Sequence, residues 1–224
     1  MPYCSVKDLR DESVGDDLSD LELEALIDEA SSEIDRITGW FFDPRSRTYK
    51  MDGTGTRYLH LPAPIISITE IQYVWRTEDE ELTTVLDPSL YVVYNRTDPD
   101  DRFNPKIMKT PSFRYLTSGV WKKGIQNFDV TGTFGFVDDP GGTNTTPAQI
   151  KRACKLLVLS WAKRMGESEP GDAADRMSGD LRSISVRGRS AQWAGPTSGD
   201  TSTGLPVVDR ILLNFRRPPH VSAA

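Results

Sequence analysis

The groups in this chain that could do chemistry are few: two histidines, two cysteines and a scatter of carboxylates. His60 alternates with Leu59 and Leu61 in a strand-like stretch, and His220 stands in a terminal tail. No two histidines have ligand spacing, and the distant Cys4 and Cys154 make no zinc site. With one of them on a helical stretch, the cysteines read as a pair of reduced thiols rather than a disulfide. Asp52-Gly-Thr-Gly55 could cradle a phosphate through its backbone amides. It lacks a Lys-Ser/Thr continuation and sits between alternating stretches, so a hairpin turn is the better reading. Thr97 to Asp101, TDPDD, could hold a hard cation. Its carboxylates lack the periodic spacing and the terminal Glu of a calcium loop, which leaves a solvated loop. Arg187-Gly-Arg189 could touch nucleic acid, but it is short and the chain carries a net charge of −6. There is no G-x-S-x-G elbow, Walker loop or dinucleotide fingerprint. The expectation is a protein with no catalytic, cofactor or metal site and no enzymatic activity. A hydrolase built on Asp98, Asp100 and Asp101 is the weakest of the readings weighed.

Those sparse groups must be positioned by elements that the hydrophobic pattern makes plain. Thr146 to Gly166 reads as the organising helix. Thr146 suits an N-cap with Gln149 completing a capping box, and Pro147 suits the first turn. Lys163, Arg164 and Gly166 mark its end. Ile150, Ala153, Leu157, Val158, Trp161 and Met165 form one stripe, while Leu156 and Leu159 lie off it. A helix apolar on more than one side belongs in a core with several neighbours. A second helix is predicted over 19–38, opened by a Ser19-x-x-Glu22 capping box and closed by Gly39. Its apolar stripe is Leu23, Leu26, Ile27, Ala30, Ile34 and Ile37. A shorter one precedes it within Ser5 to Glu12, and a last amphipathic helix over 206–216 presents Val208, Ile211, Leu212 and Phe215. Trp40-Phe41-Phe42 reads as a helix end wedged against the next layer rather than a ligand platform.

From Arg47 the period changes to two. Tyr49 to Leu61 reads as a hairpin turning at Asp52-Gly53 and Gly55. Ile65 to Trp75 and Leu90 to Tyr94 read as strands, with the acidic TEDEE at Thr77 to Glu81 as a loop tip. Ile107-Met108 and Phe113 to Leu116 are short strand candidates, with Pro111 between them favouring an edge. In Gln126 to Val137, Phe128, Val130, Phe134 and Phe136 share one face, and Asp129, Thr131 and Thr133 the other. An antiparallel unit between about 47 and 137 follows. The fold class is α+β: a small helical bundle with an inserted antiparallel β-sandwich or barrel unit and an extended C-terminal arm. The bundle comprises 1–46 and 139–166, joined by 205–217. The β unit is 47–138, the arm 167–204, and the terminal helix and tail 205–224.

Composition, 37% apolar and 27% charged, is that of a soluble globular chain. No membrane span or secretory leader is expected. Residues 1–40 hold twelve acids against Lys7, Arg10 and Arg36, whereas 176–219 hold seven arginines against Asp180, Asp200 and Asp209. Differently charged ends suit an assembly whose ends meet different partners, or in which one end meets the other end of a neighbouring copy; a solvated acidic helix face is the other reading of the same charges. The Gly/Ser/Asp-rich arm has too few apolar groups to fold on a core of its own. Its Arg182, Arg187 and Arg189 could pair with carboxylates on a partner or on an adjacent copy's acidic helix.

Three pieces in order carry a resemblance: ITGWFFDPR leading to GTGTRYLHLPAPIISITEI; VTGTFGFV followed by PAQIKRACKLLVLSWAKR; and ISVRGRS followed by LPVVDRILLNFRRP. This layout resembles the head-to-tail adaptor (head-completion) proteins of long-tailed bacteriophages. The resemblance implies a helical subunit made in the host cytoplasm and built into the virion at the head–tail junction. There a ring of copies, commonly twelve-fold, lies under the portal and continues the DNA channel. It implies the portal protein, a tail-side stopper or completion protein and other copies of the chain as partners. Genomic DNA passes through without a membrane being involved. The C-terminal portion is expected to engage the portal, with Arg182, Arg187, Arg189, Trp193, Phe215, Arg216 and Arg217 as portal or neighbour contacts. Many members are shorter and mainly helical, so the β insertion departs from them. The competing reading is a monomeric module that recognises sugar or protein through Trp75, Tyr91 or Trp121.

Overall fold

The computed structural model describes residues 2–11, 18–76, 80–94, 102–112, 119–140, 142–166, 183–186, 189–192 and 203–217. The α+β class expected from the sequence is the one observed. The chain divides into two compact units, Met1–Gly39 with Ala148–Arg216, and Trp40–Pro147 with Arg217–Ala224.

The first unit is helical. Helix α1 (Val6–Arg10) and helix α2 (Asp20–Thr38) each open with a reciprocal capping box. Ser19 Oγ accepts from the Glu22 amide at 3.3 Å, and Glu22 Oε2 accepts from the Ser19 amide at 2.8 Å. Two donors that would otherwise be orphaned are thus satisfied, and the Ser19 hydroxyl, donating to Glu22 Oε2 at 2.7 Å, together with the Ser19 amide holds the Glu22 carboxyl below its ordinary range. Gly39 ends α2 in the left-handed region, φ 72°, where a side chain would be strained. The predicted stripe from Leu23 to Ile37 is buried throughout.

Helix α3 (Ala148–Gly166) packs against α1, α2 and the last helix α4 (Pro206–Phe215), as its two-sided apolar pattern requires. Ile150, Ala153, Leu157 and Val158 are fully buried, while Leu156, Leu159 and Trp161 are half-buried. The Thr146 hydroxyl, expected as a cap, donates to the Phe42 carbonyl at 2.9 Å. Helix α4 buries Val208 and Leu212 and leaves Val207 and Leu213 outside. Its Asp209 reaches back to accept from the Thr203 amide and hydroxyl, each at 2.7 Å. Within the stretch expected to be a coreless arm, strands β8 (Ser183–Val186) and β9 (Arg189–Gln192) pair antiparallel.

The first residues of the chain also belong to this core, which periodicity did not show. Tyr3, Cys4 and Leu9 are buried. The Tyr3 amide donates to Ser31 Oγ at 3.1 Å, and the Tyr3 hydroxyl bonds Asp35. The Cys4 and Cys154 sulfurs lie 3.4 Å apart, both as free thiols.

The second unit is β. A four-stranded antiparallel sheet runs β1-β7-β3-β4, from β1 (Arg45–Gly53), β7 (Gly124–Phe134), β3 (Ile65–Arg76) and β4 (Glu81–Val85). A three-stranded antiparallel sheet runs β2-β6-β5, from β2 (Tyr58–His60), β6 (Lys106–Lys109) and β5 (Tyr91–Tyr94). One core is shared by both, with Leu59 and Ile107 from the smaller sheet against Ile71, Phe128, Val130 and Phe134 from the larger. The unit is therefore a sandwich of two open sheets and not a barrel.

Four expectations are corrected. Residues 49–61 are not a hairpin: β1 pairs with β7 and β2 with β6, so Asp52 to Gly55 carries the chain from one sheet to the other. Its residues serve that crossing. Asp52 accepts from the Gln126 amide at 2.6 Å, and Gly53 lies so close to the Lys122 carbonyl that a Cβ would sit 1.8 Å from it. Glu81, expected in the acidic tip, opens an unforeseen strand, β4, whose Leu82 pairs opposite Trp75, while residues 77–79 lie outside the described residues. Strand β6 is central, because Pro111 falls after the ladder ends at Lys109. Trp121, weighed as a ligand platform, is fully buried, donates its indole N–H to the Ile107 carbonyl at 3.2 Å and meets Phe128 edge-on. Residues 97–101 and 113–116 lie outside the described residues.

Leu157→Ala, which empties the centre of the helical unit, is expected to cost about 2–5 kcal/mol. An unchanged thermal midpoint would show that α3 is peripheral. The thiols offer a second check. The contact with Cys154, reinforced by burial, pushes the Cys4 thiol far above its ordinary range and keeps it protonated. Neither cysteine should react with a maleimide at pH 8 while a denatured control is fully modified. Rapid modification of Cys4 in the folded protein would show that the first residues are not seated on α3.

Candidate functional site

The aromatic run that closes the helical N-terminal stretch is followed at once by a strand bearing arginines at alternate positions. Arg45 and Arg47 stand two apart on β1, so both side chains leave the same face. Both reach one ring: their guanidinium carbons lie 4.7 and 5.1 Å from the Phe41 centroid. Tyr49, two residues further, continues the row and meets Phe134 edge-on at 4.7 Å. From the far end of the chain, Arg217 places its guanidinium 4.8 Å from the centroid of the buried Trp40. All of these residues belong to the β unit.

Each arginine is fixed differently. Arg45 grips the buried Asp43 carboxylate, with Nη2 at 2.7 Å and Nε at 2.9 and 3.0 Å from its oxygens. Half-burial lowers the pKa of Arg217, an effect opposed by Tyr49. Burial raises the pKa of the Tyr49 phenol against the pull of Arg47, Arg45 and Arg217. The phenol therefore stays neutral at any physiological pH. Arg47 and Lys50 are exposed. The result is a row of stacked, pre-oriented cationic forks on a strand at the sheet's edge, paired among the described residues with β7 alone. Such forks are built to grip carboxylates or phosphates in two-point geometry. The cluster contains no nucleophile paired with a base.

Of the contact residues expected from the sequence, Arg217 is the one drawn into this cluster among the described residues. Arg216 is exposed at the end of α4, and Phe215 is half-buried in its last turn. Arg189 opens β9, while Arg182, Arg187 and Trp193 lie outside the described residues. Arg45 and Arg47 were missed, although the signal was present: alternate arginines directly after three aromatics at the start of a strand. His60 Nδ1 lies 3.1 Å from Asn104 Oδ1 on the surface, and Lys122 Nζ lies 4.1 Å from the ring of the half-exposed Trp75.

No protein-family model matches the sequence, and no curated protein matches it. Solved structures do. A chain from the neck of an empty gene transfer agent (GTA) particle, computed with C6 symmetry, has a TM-score of 0.53 at 15% identity, over 99% of this chain and 93% of that one. A chain from the neck of the native particle, computed with C12 symmetry, has a TM-score of 0.56 at 13% identity, over 97% and 91%. A chain from the virion of the native particle has a TM-score of 0.58 at 13% identity, over 99% and 93%. At such identities the likeness is one of fold, and it extends over nearly the whole of each chain.

Proposed function

We propose that this chain is a structural subunit of the head–tail neck of a phage-like particle. It is an adaptor whose copies form a ring between the portal vertex and the tail, with DNA passing through the centre. The observation that carries this reading is the fold likeness to chains of particle necks, which takes in helical and β units together. The order of sequence pieces that resembles phage adaptors supports it independently. A ring of twelve copies accords with the symmetry used for one of those necks.

In this reading the helical unit is the body of the adaptor and the β unit is an insertion into it. The C-terminal portion engages the portal through Arg182, Arg187, Arg189, Trp193, Phe215, Arg216 and Arg217. A tail-side stopper or completion protein meets the opposite face. The protein has no catalytic task, and it acts at the head–tail junction of the virion after synthesis in the host cytoplasm. The alternative of a monomeric recognition module is weakened by Trp121, whose ring and N–H are both committed to the core.

Electron microscopy of the protein mixed with its portal should show a ring seated on the portal. Unbound single subunits at saturating concentration would overturn the adaptor reading. Arg182→Ala with Arg187→Ala and Arg189→Ala should reduce docking onto portal-bearing capsids at low salt, and the difference should shrink as salt is raised. Docking equal to wild type at low salt would remove those arginines from the attachment.

A further inference from the structure

We propose that the arginine row on β1 is the seat for the acidic outer face of α2 of a neighbouring copy. The inference rests on the ring reading and adds to it a contact that repeats from copy to copy.

The cationic side of the pair is in surplus. Between Phe41 and Arg57 the chain carries Arg45, Arg47, Lys50 and Arg57 against Asp43 and Asp52. Both of those acids have internal tasks, Asp43 beneath Arg45 and Asp52 on the Gln126 amide. Stacking on Phe41 holds the guanidinium planes of Arg45 and Arg47 in place, so a carboxylate partner need not order two long side chains. As alternate residues on a strand they stand roughly 7 Å apart.

The acidic side has matching spacing. On α2, Leu21, Glu24, Ala25 and Asp28 are all exposed and follow one another at i, i+3, i+4 and i+7. They form a stripe opposite the buried one. Glu24 and Asp28 are like charges one turn apart, about 6 Å between Cβ atoms, and they repel each other until a cation is placed between them. The nearby cations are already engaged: Arg10 with Asp20 at 2.9 Å and Arg36 with Glu33 at 2.6 Å. Leu21 is 77% exposed at the head of the stripe and gives the contact an apolar element. A second copy therefore offers two carboxylates to a row in which Arg45 is held by Asp43 and Arg47 is exposed.

Duplex DNA is the other polyanion in the setting. The chain's net charge of −6, and above all its acidic α2, oppose a phosphate backbone and favour a protein carboxylate partner. A contact between two different surfaces is heterologous, and repetition of it builds a ring when the rotation closes.

Reciprocal charge reversal tests this in the full chain. One variant carries Arg47→Glu and Arg217→Glu, and the other Glu24→Arg and Asp28→Arg. Arg47→Glu alone serves if the stacked Arg217 proves necessary for folding. By sedimentation at low salt, each variant alone should associate at least about tenfold more weakly than wild type. The equimolar mixture should recover association, because each reversed surface then meets a reversed partner in alternating order. Variants that associate like wild type, or a mixture that recovers nothing, would overturn this contact and leave the ring reading standing. Wild type that stays monomeric both alone and with portal would remove the ring reading and this contact together. Unchanged self-association with lost retention of a short duplex DNA would assign the row to nucleic acid and overturn the proposal.

Discussion

A helix that is apolar on more than one side cannot be dried by any single neighbour, and the helical unit is the solution to that constraint. Helix α3 is covered by α1 and α2 from the start of the chain and by α4 from its end. Burial of large aliphatic side chains contributes roughly 1.5–3 kcal/mol each, so Leu23, Leu26, Ile27, Ile34 and Ile37 of α2 and Ile150, Leu157 and Val158 of α3 together carry most of the apolar stabilisation of their unit. The requirement reaches the most N-terminal residues described, where Tyr3 and Cys4 complete the cover. Everything between α2 and α3 is then free to fold on a separate core.

That second core is arranged around β7, which pairs with β1 on one side and β3 on the other. Its inward face supplies Phe128, Val130 and Phe134 to the sandwich. With β7 between them, β1 and β3 have their positions set by backbone ladders, and β1 is left with an edge. Edges of sheets are liabilities that proteins protect with charge. Here the charge is organised, because Phe41 and Trp40 supply flat surfaces on which guanidinium groups lie.

Much of this was legible in the sequence because it is local. The Ser19–Glu22 box, the Gly39 stop and the stripes of α2 and α3 are decided within a few residues. The alternation of Phe128, Val130 and Phe134 likewise named the inward face of β7. What the sequence hid is decided by distant partners. Asp52-Gly53 has the residues of a hairpin turn, yet β1 takes as its partner a strand some seventy residues on, so the same residues serve a crossing. Leu82 to Val85 is short and half polar, and pairing with Trp75 and its neighbours makes it a strand. Arg217 was picked out for its charge, but its position on Trp40 depends on a ring 177 residues earlier. Arg45 and Arg47 went unread because arginine on a strand usually faces solvent without a platform.

The two ends of the β unit are tied to each other. The Phe136 amide donates to the Phe41 carbonyl at 2.9 Å, the Thr146 hydroxyl donates to the Phe42 carbonyl at the same distance, and the rings of Phe42 and Phe136 meet at 5.7 Å. For the helices this changes the length of the path between them. Once those ties form, an excursion of about a hundred residues acts on α2 and α3 as a link of about ten, and the entropy of closing it falls by the equivalent of roughly 2 kcal/mol. The order in which the chain is synthesised favours the same sequence of events, since both sheets of the β unit emerge before α3. The inserted unit thereby acts as an internal guide to folding: it brings together two helices that the primary structure holds far apart.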